Sequence, residues 1–112
     1  MNPIELCLLT EVENHDAKGL VARVAGKQRN IVIVRQDEVI YAYLNWCPHN
    51  QVLLDQIPGQ FFNKDKTFLC CSKHGALFQI TDGVCVEGPC EGEKLQTLDC
   101  RVEGGIVYLM DQ

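Results

Sequence analysis

Ile31-Val32-Ile33-Val34-Arg35-Gln36-Asp37-Glu38-Val39-Ile40-Tyr41-Ala42-Tyr43-Leu44 reads as strand, turn, strand. Both apolar runs are of strand length and rich in β-branched and aromatic residues, and Gln36-Asp37-Glu38 between them has the polar character of a hairpin turn. Outward from this hairpin, period-two alternation continues, and no stretch of ten or more residues sustains a helical apolar face. Strands are expected over about 5–10, 20–26, 30–36, 38–45, 67–71, 76–80, 84–87, 95–102 and 105–110. Turns are expected at Ala25-Gly26-Lys27-Gln28, Thr81-Asp82-Gly83 and Glu103-Gly104-Gly105, and a polar loop with room for one helical turn over 11–19. Many short strands with Gly-rich turns predict an all-β sandwich or small barrel.

The chain has 112 residues, the size of one ordinary domain. With 46% hydrophobic and 22% charged residues it has globular composition. Its apolar runs are far shorter than a bilayer-spanning helix, and the start, Met1-Asn2-Pro3-Ile4-Glu5, carries no export signal. The expected location is the cytoplasm, with no membrane partner. A formal net charge of -5 and a pI near 5.0 oppose binding to phosphate backbones, so nucleic acid is not an expected partner. The basic residues read as scattered along the chain. The same negative charge favours encounter with a basic patch on another protein.

Residues 45–92 differ from their flanks: they hold every proline except Pro3, five of the seven cysteines and two of the three histidines. They read as a functional subdomain inserted in a β scaffold built from residues 1–44 and 93–112. Within them, Cys47-Pro48-His49 and Cys71-Ser72-Lys73-His74 form two short Cys/His brackets separated by 21 residues. Two such brackets on neighbouring loops can converge on one metal site. Structural zinc accepts two thiolates and two imidazoles, so a zinc-stabilised interaction module is one reading. Each bracket, however, carries one ligand of each type, where zinc fingers place a Cys pair before a His pair. That mixed order suits a dinuclear cluster in which one iron takes the thiolates and the other the imidazoles.

Cys47-Pro48-His49, Cys71-Ser72-Lys73-His74-Gly75 and the later Gly88-Pro89 together resemble the Rieske [2Fe-2S] family. Ala76-Leu77-Phe78-Gln79-Ile80-Thr81-Asp82-Gly83 is similar to the strand and turn that follow the second ligand loop in that family. Arg101-Val102-Glu103-Gly104-Gly105-Ile106-Val107-Tyr108 is similar to its final hairpin. The resemblance implies a Rieske-like antiparallel scaffold with an inserted cluster-binding subdomain, all within one domain over 1–112. It also implies one [2Fe-2S] cluster, with Cys47 and Cys71 on the inner iron and His49 and His74 on the outer iron, shielded by a third loop at Gly88-Pro89.

The implied role is that of a ferredoxin, a one-electron carrier between a reductase and a terminal oxygenase or other oxidoreductase. The family also includes small subunits of nitrite-reductase-like complexes, which stand as the alternative. The chain is not expected to be an oxygenase itself, because a mononuclear iron site would need two further histidines and only His15 remains. High-potential members carry a disulfide between the ligand loops and a serine after the His-Gly pair. Here those positions are Val52, Lys73 and Ala76, so a low potential for the class is expected.

Other features have plainer readings. Cys70 is expected to turn away from Cys71 as a packed thiol, by strand alternation. Cys7 and Cys100 read as small core residues, Cys85 and Cys90 as thiols flanking a turn, and His15 as a solvated loop residue. Trp46, Phe78 and Tyr108 are expected to pack the core and shield the cluster. The spacer with Pro58-Gly59 and Asn63-Lys64-Asp65-Lys66 is expected to be an extended hairpin or surface loop.

Overall fold

A computed structural model describes residues 3–48, 52–55, 59–71, 75–88 and 91–110. Among the described residues ten strands follow one another: β1 Ile4–Leu8, β2 Ala17–Val24, β3 Lys27–Gln36, β4 Val39–Leu44, β5 Leu69–Cys70, β6 Leu77–Phe78, β7 Cys85–Glu87, β8 Thr97–Leu98, β9 Cys100–Glu103 and β10 Ile106–Leu109. They form three antiparallel sheets of order β1-β10-β9, β2-β3-β4-β8 and β5-β6-β7. The protein is all-β, as its alternation requires; among the described residues one 3₁₀ turn, Leu9–Glu11, is its only helical element. No helix there is long and apolar enough to cross a membrane.

The hairpin β3–β4 is the centre of the molecule. Ile31, Val32, Ile33 and Val34 are each fully buried, although successive side chains of a strand point to opposite faces. The four-stranded sheet is therefore covered on both sides. Ile31, Ile33, Ile40, Ala42 and Leu44 pack with Cys7, Val107 and Leu109 of the β1-β10-β9 sheet. Val32, Val34 and Tyr43 pack on the other side with Cys47, Leu54, Phe61, Leu69, Cys71 and Phe78. A continuous apolar run, where half-exposed strands alternate, is the sequence mark of this two-sided burial.

Three expected element bounds are corrected. The loop expected over 11–19 is shorter, because Ala17, Lys18 and Gly19 pair with Val34, Ile33 and Val32 and extend β2. Gly19 has an unusual place in a strand, explained by Phe61: a Cβ at Gly19 would sit 3.0 Å from the Phe61 ring. The strand expected over 5–10 stops at Leu8, whose N–H donates to the Glu11 carboxylate (2.7 Å) as the chain enters the 3₁₀ turn. The single strand expected over 95–102 is two, because the chain changes sheets at Asp99: Leu98 pairs with Ala42, and Cys100 with Leu109.

The spacer takes the hairpin form, one of the two expected of it. Its second half is a hairpin closed by Asn63, whose Oδ1 accepts from the N–H groups of Thr67 and Phe68, with Phe62 bridging to Leu69. It is no plain surface loop, since Phe61 and Leu54 are buried in the core. The basic residues are also less scattered than their spacing suggests. Residues 17–36 hold five of the ten Lys and Arg and none of the fifteen Asp and Glu, and pairing of β2 with β3 gathers them on one hairpin.

Candidate metal centre

The two Cys/His brackets open two loops of different construction. The second is at the tip of the β5–β6 hairpin: Leu69 pairs with Phe78 and Cys70 with Leu77, with Cys71 and Ala76 next beyond the last pair. Cys71 N–H donates to the Ala76 carbonyl (2.9 Å), and Gly75 N–H to the Cys71 carbonyl (2.8 Å). The first loop leaves the end of β4 through Asn45 and Trp46, and Cys47 N–H donates to the Val52 carbonyl (2.8 Å). Each cysteine thus closes its loop by a bond from its own N–H to the carbonyl five residues later.

Both cysteines have no exposed surface and belong to one apolar core with Leu54, Phe61, Leu69, Ala76 and Phe78. Two sulfur donors from separate loops in a dry, tightly packed setting fit a thiolate-bound cluster, because water is kept from the sulfurs and the loop backbones are already fixed. His49 and His74 lie outside the described residues, as do Lys73, Pro89 and Cys90.

The third loop closes over the second at a specific point. Gly88 adopts φ +111°, and a Cβ there would lie 2.9 Å from the Ala76 Cα. Only a residue without a side chain allows this approach of backbone to backbone. The loop is held by Cys85 N–H donating to the Glu93 carbonyl (2.7 Å) and Gly92 N–H to the Cys85 carbonyl (3.2 Å). The Cys85 thiol lies 3.3 Å from the Glu87 carbonyl and is buried in the same core as Cys47 and Cys71. Ala76, itself fully buried, offers no hydroxyl to a sulfur.

The remaining sequence candidates are spread over the molecule. Cys70 is half-buried on the side of β5 away from Leu69 and Cys71, with its Sγ 3.7 Å from the Cys71 carbonyl. Burial, and then the neighbouring Cys71, push its thiol above the ordinary value. Cys7 is buried between the two larger sheets, and Cys100 packs against that core half-buried. His15 is exposed, 3.8 Å from Asp37. Phe78 is buried and Tyr108 half-buried, but Trp46 is 45% exposed and does not pack the core as expected. The turn after β4 sends Trp46 outward so that Cys47 can point inward.

Asn45 and Asp55 drew no attention in the sequence. Asn45 is only 4% exposed, and its amide links the two arms of the first loop: Leu54 N–H donates to Asn45 Oδ1 (2.8 Å), and Asn45 Nδ2 donates to Asp55 Oδ1 (2.8 Å). A lone Asn at a strand end has no distinguishing sequence signal. Only the folded chain shows that its polar atoms are used.

Comparison with known proteins agrees with this construction. The structure is similar to the ferredoxin of carbazole 1,9a-dioxygenase from Nocardioides aromaticivorans, at 20% identity and TM-score 0.78 over 100% of both chains. It is similar to a chain in the complex of reduced oxygenase and oxidized ferredoxin in carbazole 1,9a-dioxygenase, at 21% identity and TM-score 0.75, covering 96% of this chain and 91% of that one. It also matches the terminal oxygenase of carbazole 1,9a-dioxygenase from Novosphingobium, at 22% identity and TM-score 0.78, covering 98% of this chain but 30% of the oxygenase. At these identities the likeness shows a shared fold. No curated protein sequence matches. The family model described as Rieske [2Fe-2S] domain matches residues 2–101, nearly the whole chain. With two buried cysteines closing paired loops and this match across both brackets, the chain belongs to the Rieske [2Fe-2S] domain family, and its cofactor is a 2Fe-2S cluster.

Proposed function

We propose that this chain is a ferredoxin-type electron carrier in the cytoplasm, holding its cluster on Cys47, His49, Cys71 and His74 and passing electrons from a reductase to a terminal oxygenase. Bound there, the cluster supplies one-electron transfer at a potential raised by its two neutral imidazole ligands. The observation that carries the reading is the burial of Cys47 and Cys71 in one core at the openings of two loops closed in the same way. Residues 1–112 form one domain in this proposal, with the cluster-binding part at 45–92 inserted in the scaffold.

The chain's own groups do the rest. The apolar core around the two cysteines excludes water from the sulfurs and keeps the local dielectric low. The Gly88–Ala76 contact seats the third loop on the second. Val52, half-buried against the core, cannot form the inter-loop disulfide of high-potential members, and Ala76 has no side-chain hydroxyl to donate to a sulfur. Both features favour a potential at the low end of the class. A ferredoxin role is further supported by the full-length match to a ferredoxin chain rather than only to part of an oxygenase.

Anaerobically purified protein is expected to be red-brown, with two irons and two acid-labile sulfides per chain and a reduced electron paramagnetic resonance signal of mixed His/Cys ligation. Cys47→Ser or Cys71→Ser is expected to abolish the colour, and His49→Ala or His74→Ala to abolish or redshape the spectrum. A colourless protein with stoichiometric zinc, or a chromophore indifferent to either histidine, overturns the ligand assignment.

A further inference from the structure

The N–H of each cysteine closes its loop in the same way, but below that bond the fold supports the two loops by different means. The second loop sits on a β-ladder, with β5 and β6 paired directly below it. The first has no such ladder: β4 ends at Leu44, and residues 52–55 belong to no strand. We infer that Asn45 and Asp55 form a side-chain neck that replaces the missing ladder and positions Cys47 for the cluster. This deepens the reading above and rests on Cys47 being a cluster ligand.

The neck is a continuous chain of hydrogen bonds. Asn45 N–H donates to the Asn30 carbonyl (3.0 Å), fixing the residue to β3 just beyond the last β3–β4 pair. Its side-chain oxygen accepts from Leu54 N–H (2.8 Å), as a partner strand's carbonyl would. Its Nδ2 donates to Asp55 Oδ1 (2.8 Å), and Asp55 Oδ2 accepts from Gly59 N–H (3.1 Å). Two residues further into the loop, Cys47 N–H meets the Val52 carbonyl (2.8 Å). The two arms are thus tied twice, once by backbone and once by the Asn45 amide.

Burial explains the choice of residue. An amide with 4% exposure is costly to bury unless its oxygen and nitrogen both find partners, and here both do. An alanine at this position leaves Leu54 N–H and Asp55 without that partner. An aspartate keeps the acceptor for Leu54 N–H but faces Asp55 carboxylate to carboxylate. Aspartate at 45 combined with asparagine at 55 keeps every bond: the carboxylate accepts from Leu54 N–H and from the new amide, whose oxygen accepts from Gly59 N–H.

The test compares holoprotein of the parent chain, Asn45→Asp, and the double swap Asn45→Asp/Asp55→Asn. Loss of visible absorbance under excess EDTA is measured, together with the reduced electron paramagnetic resonance spectrum and the melting temperature. Asn45→Asp is expected to lose iron about ten-fold faster, the equilibrium equivalent of one buried hydrogen bond broken, and to shift the reduced-state g values. The swap is expected to return both to parental behaviour. A purely structural role would lower the melting temperature and leave the g values in place. If Asn45→Asp accumulates no loaded protein, recovery of loaded protein with parental g values in the swap supports the neck, and failure to recover it overturns it. Parental iron loss and g values in Asn45→Asp also overturn it. Absence of iron and sulfide from the parent chain would instead sink the cluster reading on which the neck depends.

Discussion

Tyr43 shows how much one side chain can join. It lies in β4 on the central sheet, and its hydroxyl donates to the Ile80 carbonyl, 37 residues away beyond the second Cys/His bracket. Burial, then Asp82 and Tyr41, raise its pKa above the ordinary phenol value. Cys100 is raised from 9.0 to about 12, by burial first and then by Asp99 and Cys7. Both groups stay protonated in the folded chain at pH values where the unfolded chain releases the proton. The folded state then binds more protons, so stability is whole below pH 9 and falls as pH rises from there toward 12. Urea denaturation midpoints between pH 8 and 11 are expected to decline, and Cys100→Ala to flatten the decline relative to the parent. Parallel slopes in the two proteins would count against this. At residue scale the sequence displayed the cysteine and histidine spacing. It could not display which thiols are shielded, because alternation gives a face and not a depth. Cys70 and Cys71 are neighbours in sequence, yet one is half-buried and the other sealed.

At the scale of elements, β2 and the spacer depend on each other. Gly19 leaves a gap in the β2 surface, and the Phe61 ring, buried to 1% exposure, fills it. Phe61→Ala is expected to cost about 3–5 kcal/mol by opening a cavity beneath the cluster-binding loops. Gly19→Ala forces the ring to move and is expected to cost about 1–3 kcal/mol. Chemical denaturation of the single and double variants checks the coupling. The double variant is expected to lose less than the sum, because with the ring gone the added methyl meets no clash. Additive losses would show that the two residues do not share one contact. The turns at 36–38, 81–83 and 103–105 were legible because Gly, Asp and polar residues state their backbone needs locally. The sheet change at Asp99 was not, since either side of it looks like strand and only the available partners, β4 and β10, divide it.

Across the whole molecule, two cores lie on opposite faces of one sheet, and Cys47 and Cys71, the proposed cluster ligands, belong to only one of them. On the proposed ligation, removing iron takes bonds from one side. In apo-protein, amides of Leu69 and Phe78 in β5 and β6 are expected to exchange hydrogen faster than in holoprotein. Those pairing β3 with β4 are expected to keep their protection. Uniform loss of protection, followed by mass spectrometry or nuclear magnetic resonance, would show the two cores to be one cooperative unit. Charge is divided too: the β2–β3 hairpin is wholly basic in its charged residues while the chain as a whole is at -5, so net charge alone misdescribes what a partner meets on each face. The sequence by itself determined the all-β class, the hairpins and the two Cys/His brackets, because strand period, turn chemistry and ligand type are properties of short stretches. Tertiary structure alone decided which residues cover each face of β3, that Phe61 fills the space over Gly19, and that Asn45 ties the loop that carries Cys47. Each of these depends on residues distant in sequence meeting in space, where packing and the need to pair buried polar groups choose among arrangements that local pattern leaves equal.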